Sequence, residues 1–96
     1  MSPTNKKKLE LIRNKLDRLD TELLKLIKKR SNLVNDVLKV KIHKKEIIDQ
    51  KRINFILKKI KDRSIQLDID PKITNRIWKN MIWAFIDYEK RNFKKK

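Results

Sequence analysis

Ninety-six residues carry 28 lysines and arginines against 12 acidic residues, a formal charge of +16, with neither cysteine nor glycine anywhere in the chain. That length allows one domain, residues 1–96, with a small core, and the missing residue types exclude disulfides, thiolate metal sites, thiol nucleophiles and Gly-rich phosphate loops. No apolar run approaches the ~20 residues of a membrane span, and Met1 to Lys8 lacks the apolar region of a signal peptide, so the expected compartment is the cytoplasm.

The first element is the longest. Apolar residues at Leu9, Ile12, Leu16, Leu19, Leu23, Leu26, Leu33, Val37 and Val40 recur in steps of three and four, the seam of one amphipathic helix. Ser2-Pro3-Thr4-Asn5 supplies its capping residues and a helix-starting proline, and nothing interrupts it until about Ile42 to Lys45. One seam position between Leu26 and Leu33 is Arg30, the side chain most costly to bury unpaired, so this face calls for an anion. An adjacent shoulder with Leu24, Ile27, Val34 and Leu38 ends in Arg13 on one side and Lys41 on the other. Arg30 and Lys41 are eleven residues apart, about 16 Å of helical rise, close enough for two long side chains to grip one small molecule. Arg13 lies about 25 Å from Arg30 and about 42 Å from Lys41 by the same rise. Either it is a solvated surface charge, or it serves that ligand from a second, antiparallel copy, which implies an intertwined homodimer. Asp17 and Asp20, flanking Leu19, are read as exposed partners for Lys15, Arg18 or Lys25.

A short connection, His43 to Ile48, leads to Asp49, a plausible N-cap for a second helix from Gln50 to about Leu67, apolar at Ile53, Ile56, Leu57, Ile60 and Leu67, with Arg52 in its first turn. Asp68-Ile69-Asp70-Pro71 is the clearest punctuation, with Asp70 as cap and Pro71 at the first helical position. The third helix runs to about Phe93 before a basic tail, Lys94 to Lys96, and is apolar at Ile73, Ile77, Trp78, Met81, Ile82, Phe85, Ile86 and Tyr88. The fold class is therefore all-α, three helices with one very long. His43 stands without Cys, Asp or Glu at ligand spacing, so no metal site is expected. Trp78 and Trp83 fall at helical spacing and are read as core or interface rather than base-stacking platforms. The lysines are scattered through Lys6 to Lys8, Lys28 to Lys29, Lys44 to Lys45, Lys58 to Lys61 and Lys94 to Lys96. They are read as solvated surface that steers small anions, rather than as a nucleic-acid face.

With Arg30 in the seam, Lys41 three turns on, Asp49-Gln50-Lys51-Arg52 at the start of the second helix and Arg76-Ile77-Trp78 in the third, the chain resembles the all-helical class of chorismate mutases. Leu11-Ile12-Arg13 to Leu19-Asp20, Leu23 to Arg30 and Lys39-Val40-Lys41 carry the same resemblance, which covers nearly the whole chain. It implies an intertwined homodimer with two sites, in which Arg13 crosses to the partner and Arg30, Lys41 and Arg52 come from one subunit. Arg13 and Arg30 would bind the substrate carboxylates, and Arg52 would line the same pocket. Lys41 would donate to the ether oxygen, Asp49 would contact a hydroxyl, and Glu89 would hydrogen-bond the ether oxygen. Val34, Val37, Ile56, Ile82 and Ile86 would form the apolar walls. The implied reaction, chorismate to prephenate, is pericyclic and needs no cofactor, metal or nucleophile. Its catalyst holds the dianion in a compact form and stabilises charge growing on the ether oxygen.

Two positions depart from that class. Ile53 stands where a glutamate often follows the second-helix arginine, and Phe85 where a small serine is common; the connector is also one residue shorter than in the best-known bifunctional members. These features are similar to the isochorismate pyruvate lyases, which share the fold and usually carry glutamine at the position of Glu89. The mutase is the first expectation, with isochorismate pyruvate lyase as the alternative and a basic helical nucleic-acid-binding module as a further one. With no extra domain in the sequence, no regulatory site is expected.

Overall fold

With no glycine and two prolines, the chain has few places to turn, and a computed structural model shows how it uses them. The structure describes residues 2–41 and 43–94. Met1, Ile42, Lys95 and Lys96, on which parts of the expected first-helix end and basic tail fall, lie outside the described residues. Three α-helices make up the described chain: α1 (Pro3–Val40), α2 (Gln50–Gln66) and α3 (Pro71–Asn92). A one-turn 3₁₀ helix, Lys44–Glu46, stands in the connector that the sequence predicts as plain loop. It forms because Glu46 reaches back, its Oε1 accepting the His43 N–H at 2.9 Å. No helix among the described residues is long and apolar enough to cross a membrane.

The chain divides into two units, Met1–Leu33 and Val34–Lys96. The first is helix alone. Ser2 caps it, its Oγ accepting the Asn5 N–H at 3.2 Å, with Pro3 at the first helical position. Local bonds support its flank, such as Lys25 with Glu22 at 3.3 Å, an exposed pair worth only a few tenths of a kcal/mol. Apart from half-buried Leu9, the apolar seam residues stay uncovered: from Ile12 through Leu33 each of them is more than half exposed. A helix of this length with its apolar seam in water is stable only when something packs on that seam.

The second unit holds the core. Ile47 from the connector, Ile53 from α2, and Ile82 and Ile86 from α3 are buried together, with Ile56, Leu57 and Phe93 packed around them. The spacing i to i+4 of Ile82 and Ile86 puts both on one face of α3. Leu67, Ile73 and Ile77, expected on apolar stripes, are exposed, because the packing of α2 on α3 uses only part of each stripe.

Two polar devices fix the α2–α3 hairpin. Ser64 Oγ donates to the Ile60 carbonyl at 2.6 Å and lies 2.6 Å from the Thr74 hydroxyl. Since the serine proton is spent on Ile60, Thr74 donates to Ser64, and its 3.4 Å approach to the Pro71 carbonyl is the weak contact of the set. At the end of α2, the Ile69 N–H bonds the Ser64 carbonyl at 2.8 Å and the Asp68 N–H bonds Ile65 at 3.1 Å. This is the Schellman pattern, and Asp68 occupies its left-handed position at φ 56° in place of the usual glycine. Asp70 then caps α3 through the Lys72 N–H at 2.9 Å, with Pro71 following as the sequence predicts.

Candidate active site

Lys41 follows the last residue of α1, and its N–H still bonds the Val37 carbonyl at 3.2 Å, so the helical path aims the side chain. Across from it, Glu89 sits in the final turns of α3 on the same face as Ile82 and Ile86, displaced by whole turns. Lys41 Nζ donates to Glu89 Oε1 at 3.1 Å. Both side chains are largely covered, 17% and 9% exposed, in contrast to the exposed pairs Lys25–Glu22, Lys39–Asp36, Lys58–Asp62 and Arg91–Asp87. An ammonium has three N–H donors, and this carboxylate accepts one. A cation is thus held in place with donors to spare, in surroundings where its field is less screened than in water.

The neighbouring residues are oriented by local bonds. Tyr88 Oη donates to Asn35 Oδ1 at 2.7 Å, a second link between the end of α1 and α3. Asp49 caps α2, its Oδ1 accepting the Arg52 N–H at 3.0 Å. Lys41 and Asp49 share the rim of an open depression of about 480 Å³, lined also by Glu46, Ile48, Gln50 and Lys51. That volume suits a small organic molecule. The guanidinium of Arg52 lies over the Phe55 ring, 5.3 Å from its centroid, with Lys59 Nζ at 5.7 Å from the same centroid. Sequence reasoning overlooked Phe55, although its i+3 spacing from Arg52 and i+4 spacing to Lys59 signal such a stack.

The other expected site residues have these places. Ile53 is 7% exposed and belongs to the core beside Ile82 and Ile86. It presents methyl groups where a glutamate would offer a hydrogen-bond partner. Phe85 and Val34 are half-buried, as is Ile56, and Val37 is exposed. Arg13 is exposed and Arg30 half-buried, both on α1 within the first unit. The second unit thus brings together Lys41, Glu89 and Asp49 with the apolar Ile53, Ile82 and Ile86. His43 is exposed in the connector, and the described residues contain no cluster of His, Cys, Asp or Glu able to hold a metal ion.

The described residues thus form three helices with the covered Lys41–Glu89 pair between the end of α1 and the last turns of α3. The family model for chorismate mutase type II matches residues 12–90, and the chain belongs to that family. Comparison with curated proteins and with solved structures found no match.

Proposed function

We propose that the protein is a cytoplasmic chorismate mutase, converting chorismate to prephenate in two equivalent sites of an intertwined homodimer. The observation that carries this reading is the Lys41–Glu89 pair, a covered cation with free donors beside a group that can share a proton. The uncovered seam of α1 supports the dimer, since a second copy is the simplest cover for a long apolar stripe.

The rearrangement breaks a C–O bond as a C–C bond forms, and negative charge grows on the departing ether oxygen. Arg30, with Arg13 of a second copy, clamps the two carboxylates and holds the substrate in its compact form; paired N–H donors make arginine the suitable residue. Arg52, steadied on Phe55, adds positive charge to the same pocket. Lys41 donates to the ether oxygen, where its field acts on charge that is larger in the transition state than in the substrate. Glu89 completes the oxygen's environment from the other side. A carboxylate has no donor, so Glu89 hydrogen-bonds that oxygen only in its protonated form. Asp49 contacts the substrate hydroxyl. Ile53, Ile82, Ile86 and Phe85 exclude water from the reacting bonds.

Ile53 favours a second reading, elimination of pyruvate from isochorismate to give salicylate, because it offers no partner for a hydroxyl. The test supplies chorismate and isochorismate separately to the purified chain and identifies products. Prephenate from chorismate supports the mutase, and a dominant salicylate signal from isochorismate overturns it in favour of the lyase. Steeply salt-dependent retention of a duplex oligonucleotide, with neither product, would instead mark a nucleic-acid module.

A further inference from the structure

Lys41 and Glu89 have two duties that conflict. At rest their side chains satisfy each other at 3.1 Å and tie the end of α1 to the last turns of α3. In the proposed reaction both turn toward the ether oxygen, so the substrate itself opens that tie. A second tie stands beside it. Tyr88 Oη donates to Asn35 Oδ1 at 2.7 Å, half-buried, between positions 53 apart in sequence. Tyr88 is the residue bonded to Glu89, and Asn35 lies six residues before Lys41, under about two turns of helix. Each catalytic side chain therefore has one end of the second tie within its own stretch of helix. The phenol and the amide are neutral, so a dianionic substrate that draws Lys41 away has no comparable pull on them. The 2.7 Å separation is that of a well-formed O–H···O bond.

We infer that the Tyr88–Asn35 hydrogen bond is a standing brace, which keeps the end of α1 in register with α3 while the Lys41–Glu89 pair opens to the substrate. Tyr88 and Asn35 are positioning residues: they touch neither the substrate nor the reacting atoms, and act through Lys41 and Glu89. The inference rests on the function proposed above. Its physical content is that the resting pair can hold its own geometry, whereas the opened pair depends on the brace. Loss of the brace is therefore felt in the transition state, where displacements of a fraction of an ångström count, and not in the arginine contacts that bind the carboxylates.

Tyr88→Phe keeps the ring and removes the donor; Asn35→Leu removes the acceptor. Each is expected to lower kcat about five- to tenfold, the effect of one lost hydrogen bond, with KM changed by less than about twofold. The double variant falls no further than either single one, because the two residues serve one bond. A readout independent of turnover accompanies this: urea unfolding of the wild type, Tyr88→Phe, Lys41→Met, which removes the donor of the ion pair, and Tyr88→Phe combined with Lys41→Met. With two parallel ties, removing both lowers the midpoint by more than the sum of the single losses. Wild-type kcat in Tyr88→Phe, or purely additive unfolding losses, overturns the brace. A wild-type chain inert toward chorismate would defeat the proposed reaction instead, and the unfolding cycle would then decide the brace alone.

Discussion

Lys41 Nζ and Glu89 Oε1 meet at 3.1 Å across 48 positions of sequence, with both side chains mostly covered. The pair has a direct consequence for substitutions of Glu89. An amide keeps an acceptor oxygen and adds the N–H donors that a carboxylate lacks. In the proposed reaction Glu89 faces the ether oxygen, so Glu89→Gln is expected to keep kcat within about tenfold of the wild type, and Glu89→Ala to lower it at least about a hundredfold. Wild-type kcat in Glu89→Ala would remove Glu89 from the site.

Arg30 places a guanidinium at a seam position of α1, half-buried in the structure. Arg30→Ala is expected to reduce kcat/KM by at least about a hundredfold, and Arg30→Lys to recover little of it, because an ammonium cannot reproduce a bidentate fork. Urea midpoints of both variants, read beside turnover, separate lost transition-state stabilisation from lost folding. Loss of stability and turnover together would mark Arg30 as a member of a structural ion pair.

The sequence disclosed the helices because their signals are local. Asp49, Asp70 and Pro71 announce starts, and the 3.6-residue periodicity marks each span. Family membership was likewise legible, from spaced cations that no single helix explains. The resemblance puts Lys41 and Glu89 at one ether oxygen, but their direct bond was not legible, since periodicity alone cannot say which turns of α1 and α3 face each other. Tyr88–Asn35 and Ser64–Thr74 escaped notice for the same reason: they depend on the register between helices. The left-handed Asp68 was hidden because glycine, the usual marker of that conformation, is absent from the chain. The stripes at Ile73, Ile77 and Leu67 read as core but lie exposed, since periodicity reports an apolar face without reporting what covers it.

Asp68 offers the simplest test of the fold. At φ 56° its Cβ crowds the backbone, a cost that glycine does not carry. Asp68→Gly should raise stability by about 0.5–1 kcal/mol, the relief of strain exceeding glycine's extra freedom in the unfolded chain. Asp68→Val should lower it by about 1–2 kcal/mol. Urea unfolding midpoints check both signs, and a destabilising Asp68→Gly would contradict the left-handed cap.

Ser64, 3% exposed, and Thr74, 9% exposed, form the buried polar lock of the α2–α3 hairpin. Ser64→Ala strands the Thr74 hydroxyl with only its 3.4 Å contact to Pro71, at a cost of about 1–3 kcal/mol. Adding Thr74→Val removes the stranded group while keeping its shape, so the double variant should lose less than the sum of the two single ones. Strict additivity, measured by the same unfolding cycle, would show that the two hydroxyls do not act as a pair.

In the proposed dimer each site is assembled from two copies, with Arg13 supplied by one and Arg30, Lys41 and Glu89 by the other. Mixing two inactive variants tests this most directly: Arg13→Ala and Lys41→Ala chains are unfolded together, refolded and assayed with chorismate. Mixed dimers would carry one intact site each, and activity should return to about a quarter of the wild-type value, since about half of the dimers are mixed. Mixed chains as inactive as either variant alone, with dimers present, would contradict the shared site.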